Sequence, residues 1–498
     1  MLPRLLSVVL MAAPLAAFAA TAPTDGTALR ADLRQHYPSL AWVERYRQAY
    51  PAEAQGSDVL WRGATAPVLD SPGALVDALA PLQDQHVALA GPQAGKQETL
   101  GVLFRTSSDG AMVVWRHLDP ASTVLREGEQ VLTVDGAPVE QWLAQAAGRT
   151  FGGNRRSRMA EAALKLGAAT PADHAAAGLA GTVHLTVRGA DGATRAVSLD
   201  YRPVDAAFGA VLAQAVERSD LPELVQAHGY RVGIVRFGAF APQYDAAFKA
   251  AAQAADQPGA SADGPMLAGF CAIVRQRLAR IDALAARSDV LLIDVRGNLG
   301  GFGRVARLLT RALTAGPLPT TYDVFAGSAP GRLKLVKQED DPSCGTIAAP
   351  RPLVVWTDAG TRSGGEFMAA WLWAAGATAV GERTIGAGGG RDSDAPGFLL
   401  PQSGLRVKYS GNFSVFDNGS TFQAGEVGEA ALIDVVAQDR FAPSRVRPFA
   451  IQSAGLRPDL LLPTTAADLH DGGAAAVERM IGQLKQRKLL PPTLLRDQ

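Results

Sequence analysis

The chain has 498 residues, with 48 Lys and Arg against 48 Asp and Glu, and is 47% hydrophobic and 19% charged. At roughly 150 residues per domain this is about three structural units, and the balance excludes a disordered polyampholyte and a multi-span membrane protein. Net charge is zero and no window gathers the Lys and Arg that neutralise a row of phosphates, so no nucleic-acid partner is expected.

Residues 1–19 read as a signal peptide: Arg4, an apolar run over 5–15 and the small-x-small pattern Ala17-Phe18-Ala19. That predicts a periplasmic or secreted protein. The run is too short to span a bilayer and no later stretch reaches about 18 uninterrupted apolar residues, so no stable membrane insertion is expected. Residues 20–92 form a helical segment, with Leu29, Leu33, Tyr37 and Leu40, then Leu75, Leu79 and Leu82, each set on one face. Short apolar runs over 100–104, 111–115 and 130–134, separated by Asp109-Gly110 and Asp135-Gly136, predict a β-rich domain over 93–203. A basic helical insertion over 149–166 interrupts it, and a hairpin over 182–187 and 195–199 closes it.

Residues 204–465 read as an α/β core. Near-continuous apolar runs over 232–237, 290–295 and 353–356 are buried strands, and 270–287 and 366–375 have helical spacing. The Ala-, Gly-, Asp- and Pro-rich stretch 253–265 reads as a mobile insertion, and 466–498 as a C-terminal helix and tail. After export the two cysteines, Cys271 and Cys344, are expected to pair. With no Cys-x-x-Cys spacing and seven scattered histidines, neither a metal nor a cofactor is expected. Nothing in the sequence sets the oligomeric state.

Two stretches carry chemistry. Asp294-Val-Arg-Gly-Asn-Leu-Gly-Gly301 ends a buried strand in a glycine-rich turn before a helix of Val305, Leu308, Leu309 and Leu313. Such a turn aims backbone N–H groups at one point, which suits a phosphate or an oxyanion. It carries neither a Walker A sequence nor a dinucleotide fingerprint. In the second stretch a strand ends at Trp356, a loop presents Ser363 and a helix begins near Gly365 with Glu366 in its first turn. Ser363 is there either a nucleophile at a helix N-terminus or an N-cap.

Together these stretches resemble the serine peptidase family of the C-terminal processing (tail-specific) proteases and the tricorn core protease. The first matches its Asp-Leu/Val-Arg-x-Asn-x-Gly-Gly element and Ser363-Gly-Gly-Glu366 its nucleophile element. Gly381-Glu-Arg-Thr-Ile-Gly386 and Ala454-Gly-Leu-Arg-Pro-Asp-Leu-Leu-Leu-Pro463 follow in the family's order, and the resemblance spans about residues 75–465. It implies a crotonase/ClpP-like superhelical core, an inserted PDZ-like domain and hydrolysis of peptides or unfolded proteins through a Ser363 acyl-enzyme. The oxyanion donors would be the N–H of Gly364 and that of Gly300 or Gly301. Leu100, Gly101, Val102 and Phe104 stand where a PDZ domain captures a peptide C-terminus by strand addition.

The general base follows from the resemblance too. The processing branch has a Lys directly after Gly-Glu-x-Thr-x-Gly; Ala387 stands there, which excludes a Ser-Lys dyad. The tricorn-like branch uses a His in an Asp/Ser-x-His segment ahead of the PDZ domain, and Leu82-Gln-Asp-Gln-His-Val87 is similar, making His86 the base. That branch backs its His with a hydroxyl residue just before it, here Gln85, and with a Glu three residues before the closing Gly, here Gln452. Gln can hold an imidazole tautomer but cannot stabilise an imidazolium by charge. Glu426, Glu429 and Asp434 remain open as substitutes. The expectation is an exported serine endopeptidase of reduced activity; the alternative is a PDZ-containing peptide-binding scaffold of the same fold whose relay has decayed.

Overall fold

The apolar runs become strands buried on both faces. The structure is a computed structural model describing residues 23–54, 68–119, 124–255, 263–314, 317–348, 350–390 and 397–490. The signal-peptide reading of 1–19 lies outside the described residues, as do positions 256–262 of the expected insertion, whose flanks are helical.

Three helices lead in. α1 (Asp25–His36) is capped by Thr24, and α2 (Leu40–Ala49) buries Trp42, Val43 and Tyr46. α3 (Pro72–Leu79) starts on a Ser71 cap with Pro in its first turn, a residue already shaped for that position. The β-rich domain follows as β1 (Val102–Thr106), β2 (Met112–His117) and β3 (Gln130–Val134). It continues with α4 (Arg155–Gly167), α5 (Pro171–Ala176), β4 (Thr182–Arg188) and β5 (Thr194–Asp200). Its strands pair antiparallel in sequential order.

The core opens with β6 (Leu224–Ala227), β7 (Tyr230–Arg236), α6 (Asp263–Ala285), β8 (Val290–Asp294) and α7 (Gly303–Leu313). A hairpin, β9 (Thr320–Ala326) and β10 (Arg332–Lys337), precedes β11 (Leu353–Thr357), α8 (Gly364–Ala374) and β12 (Thr378–Gly381). Then come β13 (Gly389–Gly390), β14 (Asn412–Asp417), β15 (Gly425–Gly428), β16 (Leu460–Leu461) and α9 (Ala474–Gln486). One sheet runs β6-β7-β8-β11-β12-β16, parallel from β7 onward. Leu291 and Ile293 face α6, α7 and α8, while Val290 and Leu292 face Met480 and Ile481 of α9. The period of two thus buries both sets, as a parallel sheet covered on both faces requires.

A second, antiparallel sheet runs β13-β14-β9-β10-β15, and α1 to α3 pack on it through Leu29, Trp42, Leu75 and Leu79 against Val324, Leu335, Phe413 and Val415. Just after α3, Ala88–Ala90 pairs antiparallel with Arg406–Lys408, which pins the preceding loop to the core.

Arginines tie the β-domain to the core. Arg105 of β1 pairs with Asp358 in the loop after β11, and Arg116 of β2 pairs with Asp220 at 2.6 Å. Both guanidinium groups lie over the Trp115 ring, 4.8 and 4.9 Å from its centroid. At the end of β8, Asp294 is buried but held well below the usual carboxylate range by Arg296 and Arg236. Among the described residues no helix is long and apolar enough to cross a membrane.

Cys271 of α6 is disulfide-bonded to Cys344 across 73 residues of sequence. Closing a loop of that length removes about 4 kcal/mol of denatured-chain entropy. Replacing both cysteines by Ala should lower the urea midpoint of unfolding accordingly, while an unchanged midpoint would show that the cross-link constrains nothing.

Candidate active site

β8 and β11 are parallel neighbours, so both end at one edge, and the loops leaving them meet there. They are stitched together by Gly297 N–H to Asp358 Oδ1 (2.7 Å), Thr361 Oγ to Val295 O (2.9 Å) and Arg362 N–H to Asn298 O (3.1 Å). Ser363 enters α8 from this joint with φ 48° and ψ −122°. For a residue with a Cβ this is a strained turn, costing about 1–3 kcal/mol, and it lifts the hydroxyl clear of the chain on either side.

The surroundings make that turn possible. Glu366 accepts the Ser363 N–H (3.2 Å), and glycines supply the space. A Cβ on Gly300 would sit 2.6 Å from Ser363 Cβ, and one on Gly365 2.6 Å from Asn298 Oδ1. Gly300 and Gly301 have φ of +81° and +116°, a region that glycine enters without cost. The structure separates the two oxyanion candidates: the Gly300 N–H is committed to Asn298 Oδ1 at 2.7 Å. Among the described residues the N–H groups of Gly301 and Gly364 form no hydrogen bond.

His86 comes from the far side, on the loop between α3 and Ala88–Ala90. Its Nε2 lies 3.3 Å from Ser363 Oγ and its Nδ1 3.6 Å from Asp84 Oδ1. Asp84 is fully buried; it accepts the His86 backbone N–H at 3.0 Å and the Tyr37 hydroxyl at 3.1 Å. Burial pushes its carboxyl up, but hydrogen bonds and charge from His86 and a contact with Ser410 outweigh burial and hold it below the usual value. Tyr37 beside it is pushed well above its usual value by burial and by the Asp84 charge.

The carboxylate against the imidazole is therefore Asp84, and the expected supports are placed elsewhere. Gln85 is half-buried in the cleft wall. Gln452 is buried one link further back, with its side chain against Tyr37, and its backbone O accepts from Trp42 (2.7 Å). Glu426 is held by Ser328, and Asp434 pairs with Arg45 at 3.6 Å; Glu429 is pushed up by burial and by Glu44. Asp84 was open to detection in the sequence: a carboxylate two residues ahead of a His can turn back onto the following backbone N–H, and it stands in the Asp-x-His pattern itself.

Glu366 is a hub rather than a reactant. It accepts from Thr384 Oγ (2.5 Å), Gly386 N (2.8 Å) and Ala387 N (2.7 Å) as well as from Ser363 N. It thereby fastens the segment carrying Ala387 to the elbow. The Ala387 methyl is fully buried where the processing branch has its Lys.

Ser363 and His86 line a cleft of about 1140 Å³ between the core and α4 and α5 of the β-domain. The residues expected to capture a peptide C-terminus do not face an open groove. Leu100, Val102 and Phe104 are buried in the domain's own core, the Leu100 N–H donates to Gly167 O (3.0 Å) and the Gly101 N–H to Thr99 Oγ (2.9 Å). α4 packs along β1, with Arg156 donating to Thr106 O and Gly167 lying against Val102 O. α4 thus lies along the edge of β1. Among the described residues no cluster of His, Cys, Asp or Glu could hold a metal ion.

A hydroxyl on a strained strand-to-helix elbow, facing an imidazole backed by a carboxylate, defines the class of a serine hydrolase site. Residues 273–427 match peptidase family S41, a stretch that holds the elements at 294–301, 363–366 and 381–386. Among solved structures, mature CPAF with lactacystin bound has a TM-score of 0.59 at 18% identity, covering 93% of this chain and 97% of that one. Mature CPAF alone gives 0.58 at 18%, covering 95% and 98%. The photosystem II C-terminal processing protease gives only 0.35 at 17%, covering 85% and 93%. At these identities the CPAF likeness is one of fold. No curated protein sequence matches the chain.

Burial pushes the Glu366 carboxyl up from 4.5 to about 7, against hydrogen bonds from Thr384, Gly386, Ala387 and Ser363 that favour its charged form. The folded value lies above the unfolded one, so folding takes up a proton between these values. Native stability is full below pH 4.5, falls as pH rises toward 7 and is level beyond. The loss is at most about 3 kcal/mol. In urea titrations against pH, Glu366→Gln should remove this slope; an equal slope in both proteins would contradict the assignment.

Proposed function

We propose that this chain is a serine endopeptidase of the His-base, tricorn-like kind, with Ser363 as nucleophile, His86 as general base and Asp84 as the carboxylate that orients and charges the imidazole. The observation that carries this reading is the 3.3 Å approach of His86 Nε2 to Ser363 Oγ on a strained elbow, with buried Asp84 on the other side of the ring.

A serine hydroxyl is a weak nucleophile until its proton has somewhere to go. His86 Nε2 takes that proton as Oγ attacks the scissile carbonyl. The negative charge then developing on the carbonyl oxygen is met by the N–H groups of Gly301 and Gly364, each worth roughly 3 kcal/mol in the transition state. The imidazolium, stabilised by Asp84, returns the proton to the leaving amine, and water enters by the same route to release the acyl group. The 3.6 Å gap at Nδ1 is longer than a hydrogen bond, as is common before substrate closes a site.

We read the core as crotonase/ClpP-like and the β-domain as PDZ-like; the parallel strands of the sheet bearing the site and the six-stranded antiparallel sheet of the β-domain support this. With β1 covered by α4, the domain serves as a wall of the cleft, and peptide or unfolded-protein substrates enter between it and the core. Export of the mature chain is part of the proposal, on the strength of the leader; the Cys271–Cys344 bond accords with an oxidising compartment. The buried Asp84 favours this reading over a decayed scaffold, because it supplies the charge that Gln85 and Gln452 cannot.

A fluorophosphonate should label Ser363 in the wild type and not in Ser363→Ala. Asp84→Asn should lower peptidase kcat by about three to four orders of magnitude, and His86→Ala by at least as much. A folded wild-type protein that resists the label would leave the scaffold as the better account.

A further inference from the structure

Asp84 is fully buried, and a buried carboxylate keeps its charge only where donors satisfy both of its oxygens. Oδ1 takes the His86 backbone N–H at 3.0 Å and faces the imidazole at 3.6 Å. Oδ2 takes the Tyr37 hydroxyl at 3.1 Å, from a residue 47 positions earlier in the chain. An ionised carboxylate can only accept, so the proton in that bond belongs to Tyr37. Burial and the Asp84 charge push the phenol well above its usual value, which keeps it a donor throughout the working range of a histidine base.

Tyr37 is fixed from several sides. It ends α1, with its N–H on Leu33 O at 3.0 Å, and only 3% of it is exposed. Its ring meets Tyr409 edge to face at 5.6 Å, and the Tyr409 hydroxyl is itself committed to Asp32, which also pairs with His36 at 2.9 Å. The side chains of Ser39 and Gln452 lie against the Tyr37 hydroxyl and work against the upward push of burial. Among the described residues, the side chains that meet Asp84 are His86 from its own loop, Tyr37 from α1 and Ser410 from the segment before β14; of these only His86 and Tyr37 titrate.

We propose that Tyr37 is a positioning residue of the relay: its hydroxyl holds the Asp84 carboxylate turned toward His86, so that the first helix of the lead-in segment is part of the catalytic apparatus. This rests on the peptidase reading and deepens it. Tyr37 acts on His86 only through Asp84. With Oδ2 held, Oδ1 stays on the imidazole side, and its charge is in place when His86 takes the Ser363 proton. Removing the donor leaves a buried carboxylate one hydrogen bond short, which the pair of Asp84 and His86 relieves by holding a proton more tightly. The protonated pair cannot act as a base, so the acid limb of the rate profile moves to higher pH.

In the full chain, Tyr37→Phe should lower kcat/KM for a fluorogenic peptide by about 10- to 100-fold and move the acid limb of its pH profile up by roughly one unit. Made on top of Asp84→Asn, the same change should alter the rate by less than about threefold, because the two residues act as one unit. Tyr409→Phe removes a buried hydroxyl that does not touch Asp84 and should leave the limb in place. A fluorotyrosine built in at position 37 keeps the ring's shape and is a stronger donor, so it should move the limb downward, and this arm stands even if Tyr37→Phe does not fold. A limb that ignores the fluorotyrosine overturns the proposal. So does a loss of rate in Tyr37→Phe with the limb unmoved, which marks a merely structural role, or an equal loss with Asp84 and in the Asp84→Asn background. A shift of the same size in Tyr409→Phe overturns it too. Failure of the fluorophosphonate label refutes the peptidase reading; a labelled, hydrolysing wild type whose limb is indifferent to position 37 refutes this inference alone.

Discussion

Everything at the site depends on holding the Ser363 backbone in a conformation that a residue with a side chain avoids. The strain is of the order of 1–3 kcal/mol, comparable to one or two good hydrogen bonds, so it persists only because several contacts agree. Glu366 grips the Ser363 N–H with one oxygen and the Gly386–Ala387 backbone through both, while Asn298 fixes the turn after β8 from within. Those are buried polar groups with their bonds made, which turns a costly arrangement into a rigid one. The glycines at 300, 301, 364 and 365 are the steric counterpart: each is pressed against backbone or side-chain atoms that leave little or no room for a Cβ.

The second constraint is electrostatic. Two regions distant in sequence meet the loop that carries Asp84 and His86: the lead-in helices bring Tyr37 to Asp84, and the core brings Ser363 to His86 and Gln452 to Tyr37. Tyr37 is flanked by Asp84 and Gln452, so a carboxylate at 452 would place a second buried negative charge close to the first. One buried carboxylate with an imidazole and a hydroxyl can be balanced; two would force one to stay protonated. An amide at 452 is what this arrangement tolerates, and the negative charge beside the imidazole comes from Asp84, on the segment that carries the histidine.

Much of this was legible in the residues. The strands at 290–294 and 353–357 stand out because parallel strands covered on both faces have no polar side, and the elbow stands out because a strand, a short loop with Ser and a helix start follow within ten residues. What stayed hidden depends on three-dimensional commitment. Gly300 and Gly301 are indistinguishable in sequence, yet Asn298 consumes one N–H and leaves the other. Leu100 to Phe104 reads as an open edge strand, but α4 folds back over it, and the only trace is a basic helix in the insertion. The resemblance assigns support to positions 85 and 452, whereas the turn from Asp84 onto the His86 N–H is set by backbone geometry.

The central claim is that Asp84 and Ser363 hold opposite nitrogens of one imidazole. Proton NMR of 15N-histidine-labelled protein, with a peptidyl boronate or trifluoromethyl ketone bound to mimic the tetrahedral adduct, reads this directly. The account predicts a strongly deshielded proton on Nδ1 of His86, absent in His86→Ala and moved well upfield in Asp84→Asn. A His86 spectrum indifferent to both the adduct and the Asp84 substitution would contradict it.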